Sequence, residues 1–247
     1  MKAMILAAGT GTRLQPLTNT MPKALIKVCG ISMLEHQINY LRYHGVNEII
    51  INVHHFAGMI VDFIRKKDFG CRIEFSDESD QLLETGGGLK KASWFFNDGE
   101  PFFLLGSDMF TDLNLAELMK FHEKNTPLAT LAMKKRNSTR DFLVNENNLL
   151  CGWKNNLTGE EIKTRESASN LTNYGFSVIH VISPEIFRLI TETGAFSMTG
   201  LYLRLSSGYP VMGFIHNHSQ WYELGRQENF NDKDLLTKVC KIAEMYR

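Results

Sequence analysis

The sequence predicts an α/β fold, a three-layer, Rossmann-like arrangement around a mixed, mostly parallel sheet. Two observations lead to this prediction. Over the first ~110 residues, short apolar runs alternate with longer segments of helical periodicity, as in parallel strands joined by crossover helices. The remainder contains further β-rich runs separated by Asn-rich turns, which adds strands. No hexapeptide repeat occurs, so no β-helix domain is expected.

The alternation begins with a strand and a helix near the amino terminus. The apolar run KAMILAA passes directly into a glycine-containing loop, which is typical of a buried strand. In MLEHQINYLRYHG, the apolar residues Met33, Ile38 and Leu41 follow helical spacing, and Gly45 suits the carboxyl end of a helix. The same order then repeats in VNEIIINV (strand), GMIVDFIRKK (helix), CRIEFS (strand), GGLKKASWFF (helix) and PFFLLGSD (strand).

The second half is richer in predicted strands. They are ATLAMKK, RDFLVNE, NLLCGWKN, NYGFSVIHVI, YPVMGFIHN and QWYEL, with a turn at Asn147–Asn148. One helix is predicted in SPEIFRLITET, with Ser183 as its cap and Pro184 at its first position. The tail from Arg226 onward is also predicted to be helical. Because there is no low-complexity linker, residues 1–247 are predicted to form one domain with halves 1–112 and 113–247.

Composition and charge exclude several classes of protein. The 247 residues carry a formal net charge of +0, so no basic surface for nucleic acid is expected. No apolar stretch approaches the ~18 residues of a membrane helix, and the first apolar run is too short for a signal peptide. The cysteines are scattered without a C-x-x-C pair, which predicts neither a disulfide framework nor a zinc site. A cytoplasmic protein without membrane contact is expected.

The loop after the first strand has the chemistry of a phosphate site. A P-loop needs a Lys directly after its second glycine, and a dinucleotide fingerprint needs a third glycine where this chain has Leu14. Gly9 and Gly11 nevertheless allow backbone N–H groups to approach an anion closely. Arg13 offers a planar fork of donors, and Lys23 offers a compact positive charge. The loop is therefore predicted to bind phosphate groups.

The stretch LAAGTGTRLQPLTNTMPKAL resembles the signature of the sugar-phosphate nucleotidylyltransferases, roughly G-x-G-T-R-L-x-P-x-T-x-x-x-P-K. The resemblance is clearest over residues 1–112 and 174–225. It implies the nucleotide-diphospho-sugar transferase type of fold, with a nucleotide-binding half followed by a sugar-binding half. It also implies that a nucleoside triphosphate and a sugar 1-phosphate react to give a nucleotide sugar and pyrophosphate.

The resemblance assigns roles to individual residues. Arg13 is similar to the residue that grips pyrophosphate, and Lys23 to the one that bridges the α-phosphate and the sugar phosphate. Asp108, after the strand FFLLG, resembles the Mg²⁺-binding aspartate, which makes Arg13, Lys23 and Asp108 the catalytic candidates. The implied nucleotide-binding residues are Leu6, Ala8, Gly9, Gly11, Thr12, Gln81, Gly86 and Gly87. Close approach of backbone to a flat base is one physical reason for the triple glycine.

Two departures from the family pattern affect the metal and the sugar. Glu223 stands where the family usually has a second aspartate, so it would bind Mg²⁺ from a set-back backbone, bind through water, or weaken the site. The Glu-Lys-Pro triplet that meets the sugar phosphate in many relatives is missing. Lys154 is a candidate substitute, although a solvated surface lysine fits equally. Asn173 and Gly175 lie in the strand that resembles the sugar-pocket strand, and Asn173 also fits a turn.

The compact length and LETGGG are most similar to N-acetylmuramate 1-phosphate uridylyltransferases and to mannose-1-phosphate guanylyltransferase-like enzymes. The first implies Mg²⁺-dependent use of UTP with N-acetylmuramate 1-phosphate or a related hexosamine 1-phosphate, for cell-wall sugar metabolism. The alternative is GTP with mannose 1-phosphate or heptose 1-phosphate. A nucleotide-sugar-binding regulatory protein without catalysis and, more remotely, a Rossmann oxidoreductase are further alternatives. The oligomeric state is left open.

Overall fold

A computed structural model of the chain describes residues 1–166 and 170–247. Its strands are β1 Lys2–Leu6, β2 Lys27–Val28, β3 Ile31–Ser32, β4 Glu48–Val53, β5 Arg72–Asp77, β6 Phe102–Gly106, β7 Met109–Thr111, β8 Ala129–Lys134, β9 Arg140–Val144, β10 Leu150–Asn155, β11 Glu161–Lys163, β12 Thr172–Ile182, β13 Val211–Ile215 and β14 Trp221–Glu223. Its α-helices are α1 Met33–Tyr43, α2 Ala57–Arg65, α3 Glu84–Lys91, α4 Leu115–Asn125, α5 Ile186–Leu189, α6 Met198–Ser206, α7 Gln227–Asn231 and α8 Lys233–Met245.

The main sheet has the strand order β11-β10-β9-β12-β6-β1-β4-β5, and β8 pairs with β12 and β13. Strands β1, β4, β5 and β6 pair in parallel. Strand β12 is antiparallel to β6, β8 and β9, so this one long strand joins the two halves of the chain in one sheet. The predicted mixed, mostly parallel α/β sheet is confirmed.

Helices cover both faces of the sheet because its central strands are apolar on both sides. In β1, Ala3 and Ile5 belong to one buried cluster, whereas Met4 belongs to the other. Successive side chains of a strand point to opposite faces, so each central strand supplies both layers. One cluster contains residues of α1, α2 and α8, and the other contains residues of α3 and α6. The three-layer arrangement follows from this two-sided burial.

Several elements differ from their predictions. Helices α4 and α6, the short strand β11 and the strand β7 were not predicted. Ser183 does not cap a helix: α5 begins at Ile186, and the Ser183 hydroxyl donates to the Pro127 carbonyl oxygen at 2.8 Å. The main-chain N–H of Ser183 also donates to Leu128, which keeps this residue in the extended chain that follows β12. Helix α3 begins at Glu84, three residues before the predicted helical run.

The prediction that no cysteines pair is wrong. Cys29 and Cys240 form a disulfide, with their Cα atoms 5.4 Å apart. Cys29 lies in the turn between β2 and β3, and Cys240 lies on α8, so only the tertiary fold brings them together across 211 residues. Cys71 and Cys151 are unpaired thiols. Among the described helices, none combines the length and apolar character needed to span a membrane.

Burial of His180 predicts that stability falls in acid. Burial lowers the pKa of His180, on β12, to about 3. Below pH 6.5 the His180 side chain binds a proton in the unfolded chain but not in the folded chain. The stability that depends on a neutral, buried His180 is therefore fully present above pH 6.5 and decreases towards pH 3. At pH 5 the loss of stability relative to neutral pH amounts to roughly 2 kcal/mol. Urea unfolding at pH 7 and pH 5 should show a smaller difference for His180→Gln than for the unsubstituted chain; equal differences would contradict this account.

Candidate active site

Three parallel strands end side by side at the candidate site. Leu6, the last residue of β1, pairs with Asn52 of β4 and with Gly106 of β6. Ligands of open α/β sheets bind beyond the carboxyl ends of such strands. A cavity of about 410 Å³ opens there, which we call the strand-end cavity. The predicted residues that line it are Leu6, Ala8, Gly9, Arg13, Lys23, Asp108 and Glu223.

The glycine-rich loop is folded back on the segment that carries Lys23. Gly11 has φ +67°, and a Cβ on it would lie 2.8 Å from the Thr18 side chain and 3.1 Å from Lys23 Cβ. The Thr18 hydroxyl donates to the Gly11 carbonyl oxygen at 2.9 Å. Gly11 therefore serves packing within the loop. Gly9, in contrast, has open space where a Cβ would lie, and it lines the strand-end cavity.

Four charged side chains meet at the floor of this cavity. Lys23 Nζ lies 2.7 Å from Asp108 Oδ2, and Arg13 Nη2 lies 3.4 Å from Glu223 Oε1. A Cβ on Gly225 would lie 2.7 Å from each of these two carboxylate oxygens and 3.2 Å from Arg13 Nη2. The two ion pairs are therefore packed around Gly225, which makes the space for them.

Strand pairing places Glu223 next to Asp108, although the two residues are far apart in the sequence. Asp108 lies two residues after the end of β6 and directly precedes β7. Strand β14 runs antiparallel to β7, with Glu223 opposite Met109, and the N–H of Leu224 donates to the Asp108 carbonyl oxygen at 2.8 Å. This short ladder fixes the two carboxylates on one side of the cavity.

The donor set fits a hard divalent cation. Asp108 and Glu223 direct carboxylate oxygens to one point beside Gly225, and Mg²⁺ is usually held by one or two carboxylates together with substrate phosphates and water. Residues 1–166 and 170–247 contain no group of three or more His, Cys, Asp or Glu side chains that could hold a metal. A site formed here would therefore depend on ligands from the substrate.

The segment from Gln81 to Gly88 lies differently from expectation. Gln81 is exposed and does not line the strand-end cavity, which Leu82, Glu84 and Thr85 reach instead. Cβ atoms on Gly86 and Gly87 would lie 2.4 Å from the Phe196 ring and 2.5 Å from the Gly194 carbonyl oxygen. Packing of α3 against the chain before α6 is thus a sufficient reason for these two glycines.

A buried carboxyl group ties this segment to the strand ends. Glu78 is fully buried; one of its oxygens accepts from Asn52 Nδ2 at 2.8 Å and the other from the N–H of Leu83 at 3.1 Å. Asn52 Oδ1 in turn accepts from the N–H of Ala7 at 2.7 Å. The network connects the glycine-rich loop, β4 and the start of α3. Sequence analysis missed Asn52, although its place at the carboxyl end of a parallel strand is a usable signal.

Glu78→Gln should destabilise the fold. Both carboxyl oxygens of Glu78 accept from N–H groups, so the amide nitrogen of glutamine would face another donor. An unsatisfied buried donor costs about 1–3 kcal/mol. The free energy of unfolding in urea should fall by that amount, whereas Glu100→Gln, at an exposed turn, should leave it unchanged. Equal stability of the two variants would show that the network does not support the fold.

A second, larger cavity of about 990 Å³ adjoins the first. We call it the arginine cavity because Arg13, Arg136, Arg140 and Arg226 line it. The two cavities share Arg13, Val178, Ser197 and Glu223. Val178, at their boundary, has φ +56°, a backbone conformation that β-branched residues rarely adopt.

The structure does not bring the predicted sugar-binding residues Lys154 and Asn173 to these two cavities. Both line a separate cavity of about 890 Å³, while Trp153, the neighbour of Lys154, lines the arginine cavity. Lys154 does not line the arginine cavity, although Asp141, its partner on β9, does. Gly175 lies next to the arginine cavity, because a Cβ on it would lie 2.8 Å from Nε of Arg136, which lines that cavity.

The fold and the charged floor of the strand-end cavity define an α/β protein with a candidate site at the carboxyl ends of its parallel strands, and comparisons with known proteins identify its family. The family profile described as Nucleotidyl transferase matches residues 2–148, and the chain belongs to this family. Mannose-1-phosphate guanyltransferase 2 of Candida glabrata is 31% identical over 233 residues, which is 93% of this chain and 63% of the relative. UTP–glucose-1-phosphate uridylyltransferase of Synechocystis sp. is 32% identical over 93% of this chain and 61% of the relative.

Solved structures agree on the fold. The inositol-1-phosphate CTP transferase from T. maritima superposes with a TM-score of 0.75 at 20% identity, covering 96% of this chain and 95% of the other. HddC from Yersinia pseudotuberculosis gives a TM-score of 0.72 at 18% identity, covering 97% and 98%. The chain thus matches these structures over nearly their full length, whereas it spans somewhat over 60% of the two sequence relatives.

Proposed function

We propose that this chain transfers a nucleotidyl group from a nucleoside triphosphate to a sugar 1-phosphate and releases pyrophosphate. The observation that carries the proposal is the convergence of Arg13, Lys23, Asp108 and Glu223 beyond the carboxyl ends of β1 and β6. Two cations and two carboxylates at one point suit a reaction between two polyanions. Membership of the family and the names of the relatives support the same reaction.

In the proposed reaction, an oxygen of the sugar 1-phosphate attacks the α-phosphorus in line with the departing pyrophosphate. This oxygen is already an anion, so no general base is needed, and catalysis consists of positioning and charge stabilisation. The bond to pyrophosphate breaks, and its electron pair leaves on the pyrophosphate oxygen. Arg13 binds the pyrophosphate, and Lys23 donates to the α-phosphate and the sugar phosphate as charge moves.

A divalent cation, which we propose to be Mg²⁺, would be held by Asp108 and Glu223. When bound, it neutralises phosphate charge and orients the α-phosphate. Gly9, Ala8 and the end of β1 are proposed to contact the nucleotide. Residues 1–112 would act as the nucleotide half and 113–247 as the sugar half of a single domain.

The substrate pair is proposed from the named relatives. The Candida glabrata relative is named as a mannose-1-phosphate guanyltransferase, as are relatives from Dictyostelium discoideum and Yarrowia lipolytica, which favours GTP with mannose 1-phosphate. UTP with glucose 1-phosphate or a hexosamine 1-phosphate is the second candidate, because the Synechocystis relative is named for UTP and glucose 1-phosphate. No relative named above carries an N-acetylmuramate designation, so this sugar ranks below mannose and glucose.

A panel of substrates tests the proposal. Pyrophosphate release is measured with GTP, UTP, CTP, ATP and dTTP against mannose, glucose, N-acetylglucosamine, heptose and N-acetylmuramate 1-phosphates, with Mg²⁺. We expect release from at least one pair and a requirement for both substrates. If no pair releases pyrophosphate but the chain still binds nucleotide in a direct binding assay, the result would favour a regulatory nucleotide-sugar-binding protein without catalysis.

A further inference from the structure

Apart from Arg13, which pairs with Glu223, three arginines line the arginine cavity, and Arg136 is the one whose guanidinium stacks on an aromatic ring. Arg140 and Arg226 line the same cavity but are exposed, and Arg226 pairs with Glu228 at 3.6 Å. The Arg136 side chain is half-buried on the turn after β8. Immobilised cations bind a ligand at a lower cost in side-chain entropy than mobile ones. Among the three, Arg136 is the best prepared to bind an anion.

Three neighbours fix the Arg136 side chain. Its Nη2 donates to the Phe176 carbonyl oxygen at 2.8 Å, and its Cζ lies 4.4 Å from the centre of the Trp221 ring. Gly175 provides the remaining space, since a Cβ there would lie 2.8 Å from Arg136 Nε. Stacking on an aromatic face and a fixed hydrogen bond leave the plane of the guanidinium defined. Its Nη1 donates only a long hydrogen bond, of 3.5 Å, to the Asn137 carbonyl oxygen.

Arg136 is electrostatically linked to the charged floor of the strand-end cavity. Burial lowers the pKa of Arg136, while the nearby carboxylates of Glu223 and Asp141 raise it. Guanidinium groups remain protonated in proteins, so Arg136 carries a full positive charge. Glu223 also pairs with Arg13, and Trp221 lies two residues before Glu223 on β14. Arg136 therefore stands on the arginine-cavity side of the point where the two cavities meet.

Two lysines that could take this role are placed elsewhere. The Glu-Lys-Pro lysine of related enzymes is missing from the sequence, and Lys154 lines a separate cavity. Lys23 is already engaged with Asp108 in the strand-end cavity. A sugar phosphate bound in the arginine cavity would have the Arg136 guanidinium in its lining.

We propose that Arg136 binds the phosphate of the acceptor sugar 1-phosphate and thereby positions its attacking oxygen. The inference rests on the proposed nucleotidyl transfer and adds a residue to it. The planar fork of a guanidinium matches two phosphate oxygens at once, which a lysine cannot do. Arg136 then holds the acceptor in the arginine cavity, and Arg13, which lines both cavities, holds the leaving pyrophosphate.

The test separates KM values for the two substrates. With the substrate pair found in the panel, Arg136→Gln should raise KM for the sugar 1-phosphate about 10- to 100-fold, as expected for lost charged hydrogen bonds. KM for the nucleoside triphosphate should change less than about threefold. Arg188→Gln, at an exposed position on α5, is the matched control and should change neither KM. Arg136→Lys keeps the charge without the fork and should give an intermediate KM for the sugar 1-phosphate.

Other outcomes overturn the inference. A folded Arg136→Gln with an unaltered KM for the sugar 1-phosphate would exclude the contact. A rise in KM for the nucleoside triphosphate alone would place Arg136 at the donor. If Arg136→Gln does not fold, Arg136→Lys decides by the same criterion. If the unsubstituted chain turns over no substrate pair, the proposed function is wrong. The role of Arg136 is then tested by calorimetric binding of mannose 1-phosphate to the unsubstituted chain and to Arg136→Gln. Equal affinities of the two proteins would contradict a phosphate contact by Arg136.

Discussion

Lys23→Ala should lower kcat for nucleotidyl transfer by about 100- to 1000-fold, the loss that follows removal of one preorganised donor to developing charge. The ammonium of Lys23 lies 2.7 Å from Asp108 Oδ2 and lines the strand-end cavity beside Gly9. In the proposed reaction, its charge lies beside the α-phosphate, which must accommodate both the attacking and the leaving oxygen. Initial rates of pyrophosphate formation at saturating substrates measure the effect.

Lys27→Ala is the matched control for Lys23→Ala. Lys27 is exposed on β2, a few residues further along the same segment, and its substitution should leave kcat unchanged. Thermal unfolding should be compared for both variants, because Lys23→Ala leaves a largely buried Asp108 without its cation. A folded Lys23→Ala variant with normal kcat would show that the charged floor of the cavity is not the reaction centre.

Asp108→Asn should reduce kcat by at least about 1000-fold, since it removes the charge of one of two carboxylates proposed for the metal and also the partner of Lys23. The concentration of Mg²⁺ required for half-maximal rate should rise as well. Steady-state rates over a titration of Mg²⁺ measure both effects. Asp62→Asn, at an exposed position of α2, should behave as the unsubstituted chain.

The companion variant Glu223→Asp addresses the departure from the family pattern. Asp108 and Glu223 each direct an oxygen to the same point beside Gly225, so the longer side chain already reaches that point from β14. Shortening it by one methylene should raise the required Mg²⁺ concentration while leaving the reaction detectable. If Asp108→Asn retained its rate and its response to Mg²⁺, the proposed metal residues would be wrong.

Local features of the sequence predicted much of the fold and part of the site. The apolar runs of β1, β4 and β6 identified the parallel strands, because buried strands of this kind are continuous in sequence. The stretch from Gly9 to Lys23 is also contiguous, so its glycines and cations could be recognised together. Asp108 was predictable as the first carboxylate after β6.

The predictions that differ from the structure concern residues whose positions and neighbours are set by tertiary contacts. Cys29 and Cys240 meet only because α8 packs beside the turn between β2 and β3. Lys154 was assigned from its segment alone, which does not show that it lines a separate cavity. Gly86 is explained by the Phe196 ring, which sequence spacing does not relate to it. Arg136 follows β8 in a turn without a motif.

The most direct measurement of the central claim is the stoichiometry of products. Pyrophosphate and nucleotide sugar are quantified together for the unsubstituted chain and for Lys23→Ala, with and without the sugar 1-phosphate. We predict equal amounts of the two products, no pyrophosphate without the sugar 1-phosphate, and a greatly slowed reaction in Lys23→Ala. Pyrophosphate formed without nucleotide sugar, or equal rates for the two proteins, would contradict nucleotidyl transfer at this site.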